Sequence, residues 1–410
     1  MTGTGEDRQR LLLIAPQPFF RLTGTPINVR LMCQALTESG FEVHLLTLPH
    51  GEDLSLPHLV IHRVSRLPFV TSVPVGFSLA KAAYNLRLAA ATWRLLRRQH
   101  FAALHALEEA AFYAIPLGRW RGIPAVIDLD SDLCQQLQDH ASILVRLLAG
   151  PARMLRRFAL RRASCVISVA PRLSELARRE EAGGPVFQIT DIPTASAARP
   201  ADPATIERYR KRLGLERARL VVYTGNLDRR QGLPELIEAM PQVLHAHPDA
   251  VLLVVGGQPA EIASLQNRVD RLGFGGAVRL IGQQPLDTMA EYMGMADVLV
   301  SPRLEPHVTP LKIFNYMASG RPIVATDLPT HSDVLDAGTA ILVPPTAAGL
   351  ARGIIRALDD PDAAAQLGKR AQNLVRKRYS FVSFRRQLLE AYAAIGVTPT
   401  RPSCTFTLVS

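Results

Sequence analysis

The sequence predicts an α/β protein made of two doubly wound domains, each with a parallel sheet. Short apolar runs, typical of buried parallel strands, alternate with helical patterns along almost the whole chain. A stretch rich in proline and alanine, PTASAARPADPA at 193–204, has no such periodicity and divides the alternation into two halves. With 410 residues, of which 48% are hydrophobic, the chain can bury two cores.

The predicted strands are the apolar runs of three to six residues between the helical patterns. In the first half they are 11–15, 43–47, 59–64, 103–107, 125–128 and 165–169, and in the second half 220–224, 251–255, 278–281, 298–301, 323–326 and 341–343. The predicted domains span 1–195 and 205–379. A last helix at 380–396 is expected to pack back on the first domain, and 397–410 to form a tail.

One segment, DVLVSPRLEPHVTPLKIFNYMASGRPIVAT at 297–326, packs a strand, a loop, a helix and a second strand into thirty residues. Pro310 is expected in the first turn of its helix, and Gly320 is its stop signal. In such a unit the helix begins at the carboxyl edge of the sheet, where free N–H groups and the helix dipole favour an anion. The backbone amides of Leu311 and Lys312 are therefore predicted phosphate contacts.

The net charge of +11 is unevenly distributed. Two stretches lack acidic residues, and the predicted helices within them, 81–98 and 142–162, are basic and amphipathic. This form suits an anionic membrane surface or an anionic acceptor, although an ordinary solvated helix face explains it equally well. Neither stretch has the aromatic platform of a nucleic-acid site, so no nucleic-acid partner is predicted. Their basic residues are Arg63, Arg66, Lys81, Arg87, Arg94, Arg97 and Arg98, then Arg146, Arg153, Arg156, Arg157, Arg161, Arg162 and Arg172.

Composition narrows the remaining classes. The four cysteines have neither zinc nor disulfide spacing, and neither a GxGxxG nor a GxxxxGK[ST] motif is present. No apolar run approaches the roughly 20 residues of a spanning helix, and MTGTGEDRQR is too polar for a signal peptide. A cytoplasmic protein is expected, peripheral on the inner face of the plasma membrane if the basic helices bind lipid.

Four blocks resemble glycosyltransferase family 4, retaining sugar transferases of the GT-B fold. They are LLLIAP with GTPINVRLMCQALTESGFEVHLLT (11–16 and 24–47), LVVYTGNLDRRQGLPELIEAM (220–240), VRLIGQQPLDTMAEYMGMADVLVSP (278–302) and segment 297–326. The resemblance implies two Rossmann-like domains with a cleft between them, the first on the acceptor side and the second binding the donor. It implies a nucleotide-diphosphate sugar, GDP- or UDP-linked, as co-substrate, with no metal and no other cofactor.

The donor site departs from the family pattern where charge is expected. The arginine and lysine with which the family holds the donor diphosphate fall on Asn226 and Gln231, which are neutral. Neighbouring cations are therefore expected to supply the charge, and a single charge-assisted contact contributes about 1.5 to 3 kcal/mol. For Arg229 and Arg230, an ordinary solvated loop explains the charge equally well. The candidates are Arg229, Arg230, Arg303 and Lys312.

The E-x7-E motif of the family also changes. Its second glutamate, which holds the donor ribose, falls on Asn315, and its first falls on His307, with Glu305 two residues earlier. Asn315 is expected to hydrogen-bond a ribose hydroxyl without charge assistance. In the first domain, Gly24 and Thr25 are expected to approach the donor phosphates, since glycine admits close contact.

For catalysis, the resemblance points to VIDLDSDL at 126–133, where the family places a histidine near the anomeric carbon. The matching residue is Asp130, which could assist the acceptor hydroxyl or stabilise an oxocarbenium ion. Asp128 and Asp132 are rival helix caps. Glu108 and Glu109, just after a strand, are candidates for acceptor contact, and a role in the first turn of a helix explains them almost as well.

The sequence thus predicts a retaining, metal-independent glycosyltransferase that moves a hexosyl unit to a hydroxyl acceptor, either lipid-linked or a cell-envelope glycan. Two alternatives stay open. A sugar-nucleotide epimerase or hydrolase on the same fold would turn over the donor without an acceptor. A non-catalytic nucleotide-sugar-binding partner is suggested by the neutral residues Asn226, Gln231 and Asn315.

Overall fold

The computed structural model describes residues 8–19, 24–68, 70, 78–138, 142–305 and 309–400. The chain divides into two compact units. Unit 1 comprises the chain as far as Thr190 together with the part from Phe381 onward, and unit 2 runs from Asp191 to Ser380. The prediction of two parallel-sheet domains is confirmed.

The strands of unit 1 are β1 Arg10–Ala15, β2 Glu42–Thr47, β3 Leu59–Arg63, β4 Ala103–Leu107, β5 Ala125–Leu129, β6 Cys165–Ser168 and β7 Val186–Gln188. Those of unit 2 are β8 Arg219–Thr224, β9 Ala250–Val255, β10 Val278–Leu280, β11 Val298–Ser301, β12 Ile323–Thr326 and β13 Ile341–Val343. Each predicted strand is present with its ends shifted by at most one residue, and β7 is additional.

The first helices are α1 Gly24–Glu38, α2 Leu79–Arg98, α3 Ala111–Arg121, α4 Leu133–Gln138, α5 Ile143–Arg146, α6 Ala149–Leu160, α7 Pro171–Arg179, α8 Ala195–Ala198 and α9 Pro203–Leu213. They are followed by α10 Leu233–Ala246, α11 Pro259–Leu272, α12 Met289–Gly294, α13 Leu311–Ser319, α14 Pro329–Ser332, α15 Ala347–Asp359, α16 Pro361–Arg378 and α17 Phe381–Ala393. Short 3-10 turns lie at Glu108–Ala110 and Arg229–Gln231. None of the helices in the described ranges is both long and apolar enough to cross a membrane.

Both sheets are parallel in every pairing of named strands. In unit 1 the order is β3-β2-β1-β4-β5-β6-β7, and in unit 2 it is β10-β9-β8-β11-β12-β13. The order of strands reverses between β1 and β4 in unit 1 and between β8 and β11 in unit 2. Ligands of doubly wound sheets bind outside the carboxyl ends of the strands at such a reversal, so each unit has one such position.

Helix α17 returns to unit 1 and packs against α1. Its Tyr392 hydroxyl lies 2.9 Å from Nδ1 of His105 in β4, and Nε2 of His105 lies 3.2 Å from a carboxylate oxygen of Asp128 in β5. All three side chains are buried. The polar chain therefore fixes the terminal helix against the middle of the sheet.

Residues 193–204, the aperiodic stretch that divides the two halves of the sequence, are structured and belong to unit 2. The backbone N–H of Thr194 donates to Oδ1 of Asn315 at 2.9 Å. The guanidinium of Arg199 forms two hydrogen bonds, 2.6 and 2.7 Å long, with the buried carboxylate of Glu291 in α12. These contacts explain why the stretch is ordered although it lacks an apolar period.

The two predicted basic helices are only partly as expected. Residues 81–98 lie in one helix, α2, but 142–162 form two helices, α5 and α6, with a turn at 147–148. The prediction of a single second helix was therefore wrong. Ala149 packs inward there with Ala152, Cys134 and Leu137, so the chain turns in order to place these small residues against α4.

Candidate functional site

In unit 2 the strand reversal is surrounded by the loop after β8, the loop after β11 and the N-terminus of α13. Lys312, in the first turn of α13, extends its ammonium group to the first of these loops. Its Nζ lies 2.7 Å from the Tyr223 hydroxyl and 3.0 Å from Oε1 of Gln231, and 3.8 Å from the centre of the Tyr223 ring. Gly225 makes space for this ammonium group because it has no Cβ. Its φ is +136°, and a Cβ at this position would lie 2.9 Å from Nζ of Lys312.

This ammonium group is buried and its contacts in the described structure are neutral. Burial lowers the pKa of Lys312 well below its usual value, and the nearby guanidinium of Arg303 lowers it further. A buried cation without an anionic partner is costly. A bound anion would remove that cost, so the arrangement is suited to holding one.

Two arginines are nearby: Arg303 is close to Lys312, and Arg230 is close to Arg303. Arg303 is mostly buried, which together with Arg230 lowers its pKa, and its Nε–H has no hydrogen-bond partner among the described residues. Arg230 is more exposed and forms two hydrogen bonds with Asp228, at 2.9 and 3.0 Å, while Glu305 lies 4.0 Å away. Arg303 is therefore the better placed of the two to receive an anion.

The other predicted donor residues are distributed as follows. Asn226 is exposed, whereas Gln231 is buried and occupied by Lys312. Pro310 is the N-cap of α13 rather than a residue of its first turn, so Leu311 and Lys312 supply its first N–H groups. Asn315 accepts the Thr194 N–H with its amide oxygen. His307 lies outside the described residues.

In unit 1 the corresponding edge holds a compact ionic cluster. Nζ of Lys81 in α2 lies 2.8 Å from Glu109 and 3.4 Å from Glu108, and all three side chains are about nine-tenths buried. Burial opposes the charge of Glu108, but Lys81 and the hydroxyl of Ser131 hold its pKa below the usual range. Burial and neighbouring Glu108 raise the pKa of Glu109. Lys81, counted in the sequence among the basic residues of the first acid-free stretch, is therefore buried in this cluster and is not part of a basic surface.

The surroundings of Glu108 are also polar. Ser131 donates to it at 2.6 Å and the amide nitrogen of Gln17 at 3.3 Å. The amide oxygen of Gln17 is buried and accepts no hydrogen bond from the described residues. Glu108 itself has φ +48°, a strained conformation for a non-glycine residue and one that is concentrated at functional sites.

The three aspartates of 126–133 have separate roles. Asp128 is buried against His105. Asp132 caps α4, accepting the N–H of Cys134 at 2.9 Å, and also binds Arg156. Asp130 is half-buried and directly follows β5. Of the three, Asp130 is therefore the one that neither caps a helix nor lies in the core.

The α1 N-terminus adds a backbone site to this edge. Gly24 is exposed and is the first residue of α1, and Thr25 follows it half-buried. No atom lies within 4 Å of the position that a Cβ of Gly24 would occupy. Internal packing therefore does not require glycine at this position.

Sequence reasoning missed several residues that the fold brings to these edges. Tyr223 belongs to an apolar strand and carries no local signal of a polar role. Gln17 and Ser131 follow strands β1 and β5, so only their place after a parallel strand could have indicated them. Within the described ranges, no group of three or more His, Cys, Asp or Glu residues has the geometry to hold a metal ion.

Two family models match the two halves of the chain. "Glycosyl transferase 4-like domain" matches residues 23–185, and "Glycosyl transferases group 1" matches residues 205–374. Among solved structures, sucrose-phosphate synthase from Thermosynechococcus elongatus is similar with a TM-score of 0.78 and 24% identity, covering 95% of this chain and 99% of that one. The fold is GT-B, and the chain belongs to glycosyltransferase family 4.

Among its relatives are two curated transferases. The alpha-D-kanosaminyltransferase of Streptomyces kanamyceticus is 26% identical over 312 residues, covering 74% of this chain and 80% of the relative. The phosphatidyl-myo-inositol mannosyltransferase of Mycolicibacterium smegmatis is 26% identical over 398 residues, covering 94% of both. Anabaena HepE, solved in complex with UDP, has a TM-score of 0.72 at 19% identity, covering 94% of this chain and 100% of that one.

Proposed function

We propose that this glycosyltransferase moves a hexosyl unit from a GDP- or UDP-linked sugar to a hydroxyl group of a lipid-linked or cell-envelope glycan. It does so with retention of the anomeric configuration and without a metal ion. The observation that carries the proposal is the buried ammonium group of Lys312 at the start of α13, which has only neutral partners in the described structure.

Unit 2 binds the donor diphosphate. The amides of Leu311 and Lys312 are the first of α13 and have no acceptor within the helix. Lys312 and Arg303 add charge-assisted contacts. When the bond between the anomeric carbon and the diphosphate oxygen breaks, the electron pair stays on the diphosphate, and these groups stabilise its growing negative charge.

The cation proposed to bind the diphosphate comes from a different position in this sequence than in the family. The family's lysine corresponds to Gln231, yet the ammonium group of Lys312 lies 3.0 Å from the Gln231 amide oxygen. A charge that the family delivers from the loop after β8 is here delivered from α13 to the same place. This exchange of position accounts for the neutral residue at 231 without loss of donor binding.

The donor ribose and the remaining phosphate contacts are assigned to other residues. The Asn315 amide nitrogen donates to no described residue, so it is the group proposed to reach the ribose, together with Glu305 and His307. Gly24 and Thr25 remain proposed phosphate contacts, since Gly24 is open to close approach. Asn226 and Arg230 are proposed to contact the donor at the outer edge of this site.

Unit 1 binds the acceptor through Glu108 and Glu109, which Lys81 holds in place. The unoccupied amide oxygen of Gln17 offers a further hydroxyl contact. The acceptor oxygen bonds to the anomeric carbon and its proton passes to the leaving diphosphate. Asp130 is the proposed catalytic residue, assisting the acceptor hydroxyl or stabilising positive charge on the sugar.

The printed names of relatives support the substrate classes. Phosphatidyl-myo-inositol mannosyltransferases and a putative teichuronic acid biosynthesis glycosyltransferase of Bacillus subtilis are among them, and both names refer to envelope components. The HepE complex with UDP-glucose supports a UDP-linked donor. A cytoplasmic position on the inner face of the plasma membrane belongs to the same proposal.

A charge-exchange experiment tests the donor site. Lys312→Gln should weaken UDP or GDP binding by roughly 10- to 100-fold in calorimetry, because one charge-assisted contact is lost. The double variant Gln231→Lys with Lys312→Gln should bind clearly better than Lys312→Gln and return affinity and donor turnover nearly to the wild-type values, because the ammonium group returns to nearly the same point.

Lys369→Gln, an exposed substitution in α16, is the matched control and should leave binding unchanged. Wild-type affinity in Lys312→Gln would remove Lys312 from the site. A double variant no better than Lys312→Gln would remove the exchange of position.

A further inference from the structure

Helices α5 and α6 present large apolar side chains to solvent. Ile143 and Leu147 are each 70% exposed and Met154 is 76% exposed. Exposed apolar side chains of this size are ordinary when scattered singly, but a contiguous group marks an interaction surface. We call this group the α5–α6 surface: Ile143, Leu147, Leu148, Met154, Leu155 and Phe158.

The arrangement is a property of the helix and not of one misplaced side chain. In α6, Met154 and Leu155 lie four and three residues before Phe158, so these three share one helical face, and Leu147 and Leu148 directly precede the helix. The opposite face, which holds Ala152 and Ala159, is the buried one. Helix α6 therefore packs against the rest of unit 1 through Ala149, Ala152, Ala159 and Leu160, while Met154, Leu155 and Phe158 are exposed.

Arginines surround these apolar side chains. Arg153, Arg157, Arg161 and Arg162 are exposed on α6 or directly after it. The guanidinium of Arg162 lies 4.0 Å above the Phe158 ring. Glu181 is shared by Arg157 and Arg161, so it offsets only part of the positive charge.

We propose that the α5–α6 surface docks on an anionic lipid bilayer, with its apolar side chains among the acyl chains and its arginines at the lipid phosphates. An apolar face with a basic rim is the arrangement that binds such an interface. A second copy of the chain would bring the same basic rim against itself across a two-fold axis, which is unfavourable. The inference rests on the proposed function, because it concerns how a lipid-linked acceptor is reached.

The surface is connected to the acceptor side of unit 1. Arg156, on the inner side of α6, binds Asp132 and Glu180. Asp132 is two residues from Asp130 and adjoins Ser131, which donates to Glu108. Arg156 is thus a structural link between the α5–α6 surface and the acceptor cluster and is not one of the lipid-facing charges.

Helix α2 is the matched control, since it is also basic. Leu86 is as exposed as Met154, at 76%, but Lys81 and Tyr84 of α2 are buried. The ring of Trp93 is covered by Arg97, with the guanidinium 4.8 Å from its centre. The exposed apolar group on α2 is therefore smaller, and we assign docking to α5 and α6.

Vesicle sedimentation tests the assignment, with phosphatidylcholine vesicles that contain or lack phosphatidylglycerol. The wild type should bind the anionic vesicles. The double variant Arg153→Gln with Arg157→Gln should weaken this binding roughly 30-fold, because each of the two arginines contributes about equally to the free energy of binding. Leu147→Ser with Met154→Ser should abolish the binding that survives high salt. Two control variants of α2 should bind the anionic vesicles about as well as the wild type. They are Leu86→Ser and the double variant Arg94→Gln with Arg97→Gln.

These side chains are exposed, so the variants should fold, and circular dichroism checks this. Wild-type binding by both α6 variants, or no vesicle binding by the wild type, would overturn the inference. Dimerisation of the wild type that is lost in Leu147→Ser with Met154→Ser would assign the surface to a second copy instead. Nucleoside-diphosphate calorimetry is run in parallel: if it is normal while vesicle binding fails, only the docking inference falls.

Discussion

At the scale of single residues, the site depends on polar groups whose neighbours are unusual for their charge. Lys312 is a buried ammonium group facing a phenol and an amide, and Glu109 is a buried carboxylate that shares one lysine with a second carboxylate. Both situations are unfavourable in an isolated protein. Residues under such strain are concentrated at functional sites, which supports assigning ligands to both edges.

His331 is a buried residue whose effect on stability can be predicted. Its Nδ1 donates to the Thr326 carbonyl at 2.7 Å, and its Nε2 accepts from the Ser301 hydroxyl at 2.9 Å. It thus fixes the ends of β11 and β12. Burial lowers its pKa from 6.5 to about 4.

This shift has a definite sign. Between pH 6.5 and 4 the unfolded chain binds a proton at His331 and the folded chain does not, so stability is full above pH 6.5 and falls as the pH approaches 4. The loss should be roughly 3 kcal/mol. In chemical denaturation across this range, His331→Gln should give a flatter pH dependence of the unfolding free energy, whatever its stability at neutral pH.

The control is His100→Gln, since His100 is exposed just after the end of α2. It should leave the pH profile of unit 2 unchanged. A His331→Gln profile parallel to that of the wild type would show that the lowered pKa is not the cause.

Which residues meet at a site was only partly predictable. Glu108 and Glu109 could be found because they follow a predicted strand, and parallel strands bring their carboxyl ends to one edge. Lys81 could not be found, because it lies 27 residues before Glu108 and nothing in the sequence of α2 tells which face of that helix is buried. The neutral residues at 226 and 231 were visible, but the 3.0 Å approach of Lys312 to Gln231 depends on the tertiary fold.

At the scale of elements, helix boundaries and contacts depend on packing that a pattern does not reveal. The sequence at 142–162 has a helical period, yet the chain turns at 147–148 so that alanines meet α4. Strand β7 has only three residues and lies at the sheet edge, so it gives almost no periodic signal. Long central strands were predictable because parallel strands are continuous apolar runs.

Helix α17 gives a test at this scale. In Tyr392→Phe the ring remains but the hydroxyl group that contacts His105 is lost, which leaves a buried ring nitrogen without its partner. The cost should be about 1–3 kcal/mol. Hydrogen exchange should show α17 amides less protected, with little change in unit 2.

Val382→Ala in the same helix is the control, because Val382 is 58% exposed. It should change protection by less than about 0.5 kcal/mol. Equal protection in Tyr392→Phe and the wild type would mean that α17 is held by apolar packing alone.

At the scale of the whole molecule, two parallel α/β units each bring chemistry to the carboxyl ends of their strands. The order of the apolar runs was enough to predict this architecture, and the family models match both halves. The substrate could not be predicted in the same way, because donor base, sugar and acceptor depend on individual side chains at the loops. A catalytic role therefore needs a measurement of turnover.

The most direct measurement follows release of nucleoside diphosphate from a panel of UDP- and GDP-sugars, with and without a lipid or glycan acceptor, in EDTA. We expect release that requires both a donor and an acceptor and persists in EDTA, with an α-linked product from an α-linked donor by nuclear magnetic resonance. Release without acceptor would indicate an epimerase or hydrolase. Binding without turnover, or release only after metal is added, would contradict the proposed transferase mechanism.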